Sequence, residues 1–454
     1  MLIAAAWAGQ TWAELDAKAV ADVEDPTESP SGPLALVGGT VLTATGERHE
    51  VGTVSWDASG RITRVASGVI EADVVLDVSG MYVTPGIIDT HSHLGVYASP
   101  RARAHSDGNE VVGPNTAEVW SEHGIWPQDP GFARAVAGGV TALHILPGSA
   151  NLIGGRSITI RPIPARGGRA MAVPGAPQGV KMACGENPKR VYGDRGGPHT
   201  RMGNVAGYRA AFAAAAEYGQ KWQAWDAAQA AQASGKRRRK GSGPKEPPKR
   251  DLRLDTLWKI LLGDALPQVH CYRSDDMVAF LQVADEFGFA VRSFHHAIEA
   301  YKVRDILADR GISVSTWADW WGFKMESWDA VPANAALVAE AGGRAVIHSD
   351  SAIGIQRLNQ EAAKAWVAGR DAGVEHTEDE ALRWITANPA WTLGLEEQTG
   401  QLRPGLRADV VVWDAHPFSV YAKPTYVFID GRLVWDASEP GVWSDFEIGL
   451  EVSR

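Results

Sequence analysis

From Leu34 the chain alternates apolar and polar positions in short bursts cut by glycine: LALVGGTVLTATG, the run around Thr53 to Trp56, and RITRVASG. A period of two over a few residues is the pattern of strands with one buried face. The texture returns at the far end, in GQLRPGLRADVVVWDA, TYVFIDGRLVWDA and the final residues, with Asp430-Gly431 as a turn signal. Two β segments at opposite ends predict one small β-sandwich, drawn from 34–88 and 399–454.

Between them the pattern changes. Short apolar runs alternate with longer stretches of helical period such as DMVAFLQVADEFG and ALVAEAGG. Eight candidate strands stand out: 83–89, 140–146, 170–173 (AMAV), 179–184, 268–271, 290–294, 312–316 and 345–348. Strands separated by helices are βαβ units with parallel strands. Eight of them predict an α/β fold of the (β/α)8 TIM-barrel type over 89–398, with its site at the strand C-terminal ends. An open doubly wound sheet would need a glycine-rich phosphate loop at a strand–helix junction, and no convincing one is present.

Composition adjusts this picture only slightly. At 454 residues, 45% hydrophobic and 22% charged, the chain suits a large barrel with an accessory domain. Its net charge of −10 argues against nucleic acid or an anionic membrane as a partner. No run reaches the roughly 20 apolar residues that span a bilayer. Residues 1–33 are expected as an extension and linker. The opening MLIAAAWAG leaves two expectations open: an N-terminal helix in a cytoplasmic protein, or a signal-peptide remnant with a periplasmic or secreted location. Gly235 to Arg250, GKRRRKGSGPKEPPKR, is too basic and too poor in apolar residues to join a core, and is expected as a mobile insertion. Two cysteines, Cys184 and Cys271, can pair once or stay free.

The strongest chemical signal is Asp89-Thr90-His91-Ser92-His93, directly after an apolar strand. Residues i and i+2 of an extended strand point the same way, so His91 and His93 can ligate one metal together. Lys181, His270, His295-His296 and Asp350 follow at the ends of later predicted strands. Each has a plain structural explanation by itself. A barrel would gather them at one mouth, and imidazoles with a carboxylate suit a borderline metal such as zinc.

These segments resemble the amidohydrolase superfamily, in particular its imidazolonepropionase-related and Xaa-Pro-dipeptidase-like branch. The markers are VTPGIIDTHSH, PGSANLIGG, GVKMACGENPKRVYG, TRMG, FHHAIEAYK, HSDS, TANPAWTLGL and GLRADVVVWD, spread from about Leu34 to the C-terminus. The resemblance implies that His91 and His93 hold one divalent ion with Asp350, and His270 and His296 a second. Lys181 matches the carboxylated lysine that bridges the two ions in relatives, with Glu186 as the alternative if one ion is bound. His295 would face away or line the pocket. The implied reaction is attack of metal-activated water on an amide, cyclic amide or dipeptide-type bond, with Asp350 as base and then acid.

Substrate contacts are expected among His199, Tyr192, Arg201 and Trp317. For the cationic Arg201, a structural ion pair is the competing role. The expected partner is a small molecule, with a homo-oligomer possible. Two other readings stay open at this point: a mononuclear deaminase of a ring amine, and a non-catalytic scaffold of the dihydropyrimidinase-like type. Every expected ligand position is filled, which disfavours the scaffold.

Overall fold

The computed structural model describes residues 32–69, 74–99, 101–234 and 246–439. The N-terminal extension up to residue 31, most of the basic insertion (235–245) and the last residues from 440 lie outside that set. Strands occur in three groups. The first comprises β1 (Leu34–Leu42), β2 (Arg48–Trp56), β3 (Ile62–Ser67), β4 (Val75–Asp77) and β5 (Tyr82–Pro85). The second comprises β6 (Ile87–Ser92), β7 (Val140–Ile145), β8 (Ile153–Ile160), β9 (Gly179–Ala183), β10 (Leu266–His270), β11 (Ser293–His295), β12 (Ser313–Thr316) and β13 (Arg344–Ile347). The third is β14 (Val410–Trp413), β15 (Pro424–Ile429) and β16 (Arg432–Asp436).

The first and third groups form one sheet in the order β16-β15-β14-β5-β1-β2-β3, with β4 beside β1. Its alternating apolar residues meet in a core of Leu36, Val41, Val54, Trp56, Ile62, Val83, Val410, Val412 and Phe428. The Trp56 ring packs edge-on to Phe428 with centroids 5.0 Å apart, and its Nε1 donates to the Gly431 carbonyl. A buried indole of this kind needs a partner for its polar end. The sheet is tied to the barrel through Asp430, which accepts from both Arg407 and Arg161. Arg161 directly follows β8.

The second group forms the barrel sheet, in sequence order from β6 to β13. Every residue of β6, β7 and β9 is buried, as expected where helices and loops cover one face of a strand and the barrel interior the other. Between β6 and β13 the seam is closed by other means. The Ile88 and Ile347 amides donate to the Ile385 and Trp384 carbonyls, and at the upper end the Asp350 amide donates to the His91 carbonyl.

One expectation about the strands fails. AMAV (170–173) is not the third barrel strand; it lies at a 3-10 turn over Gly168–Met171, with only an isolated bridge from Ala172 to Ile160. The third position belongs to β8, which runs antiparallel to both β7 and β9, so the barrel is not uniformly parallel. Gly154-Gly155 reads as a turn in the sequence but lies inside this strand. Gly155 has φ 118°, and a Cβ there would lie 2.4 Å from the Val119 carbonyl oxygen. A glycine in a strand marks such close backbone approach.

Candidate metal centre

The barrel strands end in a cluster of nitrogen and oxygen ligands. His91 lies near the end of β6 and His93 one residue beyond it, with their Nε2 atoms 3.3 Å apart. Asp350 follows β13, and its Oδ1 lies 3.3 Å from His93 Nε2 and 3.8 Å from His91 Nε2. Its Oδ2 lies 3.7 Å from His296 Nε2. Candidate ligand atoms of His91, His296 and Asp350 all lie within 4.8 Å of one another. Lys181, in the middle of β9, brings its Nζ to 3.3 Å from His91 Nε2. His270, the last residue of β10, sets its ring 4.8 Å from that of His296. All six side chains expected at the centre therefore meet.

The backbone is held in place for this. Only four described non-glycine residues have positive φ, and two of them are His296 (59°) and Asp350 (47°). Such conformations cost free energy and persist where the surroundings over-determine them. For Asp350 the fixing contacts come from the residues on either side of it in space. Buried Asp89 accepts from the amides of His91 and Ser349, both at 3.1 Å, and from the Ser349 hydroxyl. Burial pushes the Asp89 carboxyl up to about 6 despite these donors.

Burial also sets the charge state. It holds the imidazoles of His91, His270 and His296 far below the usual histidine range, with Lys181 or neighbouring imidazoles adding to the effect. His93 falls to about 3 for the same first reason. These rings are neutral at pH 7 and each keeps one lone pair. The Lys181 ammonium is pulled down by burial against the opposing charge of Asp350, and the Asp350 carboxyl is pushed up by burial against Lys181. A lysine shifted this way has access to its neutral amine, the form that carbamate formation needs.

This donor set fits a divalent cation. His93 Nδ1 lies 2.8 Å from the Leu146 carbonyl, an acceptor, so it carries the proton and leaves Nε2 as a lone pair facing Asp350. His270 Nδ1 and His296 Nδ1 are buried with no hydrogen-bond partner among the described residues. Buried polar atoms are ordinarily satisfied, and clustered exceptions beside a carboxylate call for a ligand.

The wall beside the cluster has a different character. Trp317 stacks on His296 with centroids 4.5 Å apart and donates from Nε1 to the Ser349 carbonyl. Tyr272 stacks on the same imidazole at 5.6 Å. Lys324 lies 4.2 Å over the Tyr272 ring and donates to Asn187 Oδ1. Asn187 Nδ2 is 3.3 Å from His270 Nε2. Lys324 also pairs with Glu186 and Glu326, so the Glu186 carboxylate is engaged by the wall, while Lys181 faces the imidazoles. Arg201 donates to Asp276 and Glu326 and is thus held in a network. Glu326 also accepts from the Glu186 amide at 2.8 Å, an approach that needs glycine at 185, where a Cβ would sit 2.2 Å from its Oε1. Tyr192 is buried and its hydroxyl has no hydrogen-bond partner among the described residues, and His199 is exposed on the loop beyond it.

Several residues here escaped sequence reasoning. Lys324 and Tyr272 lie on loops after the strands, where no period marks them, and Asn187 lies in the short helix Glu186–Tyr192 that follows β9. Asn187 was legible in principle, because GENPKR follows directly on the β9 strand. Gln268 and His295 look like ordinary residues of buried strands, and only their pairing reveals them. Cys184 and Cys271, left open by the sequence, form a disulfide with Cα atoms 5.3 Å apart, joining the ends of β9 and β10.

Fold and cluster together define a barrel with a candidate metal site at its strand ends. A model of the Amidohydrolase family matches residues 296–435. Amidohydrolase tasK of Hapsidospora irregularis is 34% identical over 397 residues; the match takes in 83% of this chain and 39% of that relative. This chain thus spans well under half the length of that relative. A crystal structure of an amidohydrolase from Thermotoga maritima MSB8 is 32% identical, covers 89% of this chain and 100% of its own, and superposes with a TM-score of 0.78. A prolidase complexed with N-methylphosphonate-L-proline, 17% identical with a TM-score of 0.50, covers 88% of this chain and 99% of its own, and shares the fold. The chain belongs to the amidohydrolase family.

Proposed function

We propose that this chain is a metal-dependent hydrolase that cleaves an amide-type carbon–nitrogen bond in a small molecule, in the class of cyclic amides, N-acyl amino acids and dipeptides. The observation that carries the reading is the meeting of His91, His296 and Asp350 ligand atoms within 4.8 Å, with the Lys181 amine 3.3 Å from His91. His91, His93 and Asp350 would hold one divalent ion, His270 and His296 a second, and carboxylated Lys181 would bridge them. Neutral imidazoles and carboxylate oxygens favour zinc over magnesium or calcium. Such an ion supplies Lewis acidity to the scissile carbonyl and brings water towards hydroxide at neutral pH.

The protein's own groups do the remaining work. The Asp350 carboxylate, with oxygens turned towards both His93 and His296, takes the proton from the attacking water and returns it to the leaving nitrogen. Its left-handed backbone and the Asp89–Ser349 clasp hold it in position for both transfers. Trp317 and Tyr272 wall the reacting face and exclude water, which strengthens the electrostatics inside. Asn187, whose Nδ2 lies 3.3 Å from His270 Nε2, and Lys324, which donates to Asn187, orient the substrate's polar end.

The experiment is a hydrolysis screen of N-acyl amino acids, dipeptides and cyclic amides with the zinc-loaded protein. Turnover that a chelator removes and zinc restores supports the proposal. Metal-independent turnover overturns it.

A further inference from the structure

We infer that Gln268 and His295 act as a hydrogen-bond relay that fixes the tautomer of His91, so that its Nε2 lone pair faces the centre; the inference rests on the metal-site reading above. The chain of bonds starts outside the barrel, in the helix Ala387–Thr392. The Thr392 carbonyl is an acceptor only, and it already receives Arg292 Nε at 3.3 Å. Gln268 Nε2 lies 3.4 Å from it, so the amide nitrogen of Gln268 points that way and its Oε1 the other. Oε1 lies 2.7 Å from His295 Nε2. An amide oxygen can only accept, so His295 Nε2 carries the proton.

A neutral imidazole has one N–H and one lone pair. His295 Nδ1 is therefore the acceptor, and it lies 2.9 Å from His91 Nδ1. His91 must then donate from Nδ1, which leaves its Nε2 as a lone pair. That nitrogen lies 3.3 Å from His93 Nε2, 3.3 Å from Lys181 Nζ and 3.8 Å from Asp350 Oδ1. The opposite polarity at any link would set two donors or two acceptors face to face in a buried site, at the cost of an unsatisfied pair.

The two histidines of the first strand are thus oriented by different means. His93 uses the Leu146 carbonyl directly, whereas His91 depends on side chains from β10 and β11 and on a carbonyl beyond the barrel. Gln268, His295 and His91 are all buried, so no water competes for these bonds. His295 is a positioning residue, and Gln268 positions it in turn.

The test uses the full chain, labelled with 15N-histidine and freed of metal by a chelator. Long-range 1H–15N correlation spectra distinguish protonated from unprotonated ring nitrogens, and His91→Asn and His295→Asn assign the two rings. The expected result is opposite tautomers: His91 protonated at Nδ1, His295 at Nε2. A His91 proton on Nε2 overturns the relay whatever the zinc data say. Zinc affinity, measured by competition with a chelator, supplies the second reading. Gln268→Met is expected to weaken it by roughly 10–100-fold, the usual range for an outer-shell partner. Gln268→Glu keeps the acceptor for His295 but places an acceptor against the Thr392 carbonyl, so near wild-type affinity supports the relay. Equal loss in both variants means Gln268 is only a strut to Thr392, and overturns it. If the tautomers are as stated but the wild-type protein binds no zinc, the metal-site reading fails and the relay stands.

Discussion

The floor of the site and its wall both gather ionisable side chains and behave in opposite ways. On the wall, Arg201, Asp276, Glu326, Lys324 and Glu186 neutralise one another through direct ion pairs. On the floor, neutral imidazoles crowd a carboxylate and an amine, and the Nδ1 atoms of His270 and His296 have no hydrogen-bond partner among the described residues. A satisfied network stabilises architecture, whereas an unsatisfied buried cluster signals a missing ligand. The Arg201 reading weighed in the sequence, carboxylate binding against a structural ion pair, falls on the structural side in its contacts.

The contrast can be broken by substitution, beginning with the largest effect. Asp350→Asn on the floor keeps the shape but cannot carry a proton. Turnover is expected to fall by about 10²–10⁴-fold, the range for general acid–base groups, with an unchanged unfolding midpoint. Normal turnover would remove Asp350 from the mechanism. His270→Ala is expected to weaken zinc affinity by at least an order of magnitude in chelator competition, with some loss of stability from the emptied buried site and the lost Nε2 contact with Asn187 at 3.3 Å. A large drop in stability without a change in affinity would mark it as a structural histidine.

The wall should respond the other way. Glu326→Leu removes the acceptor shared by Arg201, Lys324 and the Glu186 amide. Breaking a buried pair costs about 3–5 kcal/mol, and the partial exposure of Arg201 lowers the expected loss to about 2 kcal/mol in urea unfolding. Zinc affinity should hardly move. The smallest effect belongs to the surface: Arg209→Ala breaks its exposed pair with Glu286 and should alter neither the unfolding midpoint nor turnover.

What the sequence revealed follows the same division. His91, His93, His270, His296 and Asp350 were legible because each ends or follows a short apolar run, and strand ends converge in a barrel, whereas Lys181 lies inside its strand and its role follows from the resemblance. The terminal β segments were legible from their period of two, although their union in one sheet through β5 and β14 is a pairing that no local pattern encodes. Strand β8 was hidden by Gly154-Gly155, which carries a turn signal but serves close packing. The Gln268–His295–His91 chain was hidden more deeply. Gln268 and His295 sit within short buried strands, and their meaning depends on register across β10 and β11, where His270 lies beside His295. The wall network was illegible because Glu186, Arg201 and Asp276 stand in the first turns of three separate helices, while Glu326 lies in a 3-10 turn and Lys324 on the loop before it, and Lys324 and Glu186 meet across well over a hundred residues of chain.

Metal binding by the floor is what separates a hydrolytic centre from a merely buried cluster. Plasma mass spectrometry of the purified chain, beside a His91→Asn/His93→Asn double variant, addresses this directly. Two zinc equivalents in the wild-type protein and loss of at least one in the variant are predicted. No bound metal in the wild-type protein after dialysis against zinc, or equal metal in both proteins, would contradict the centre proposed for these six side chains.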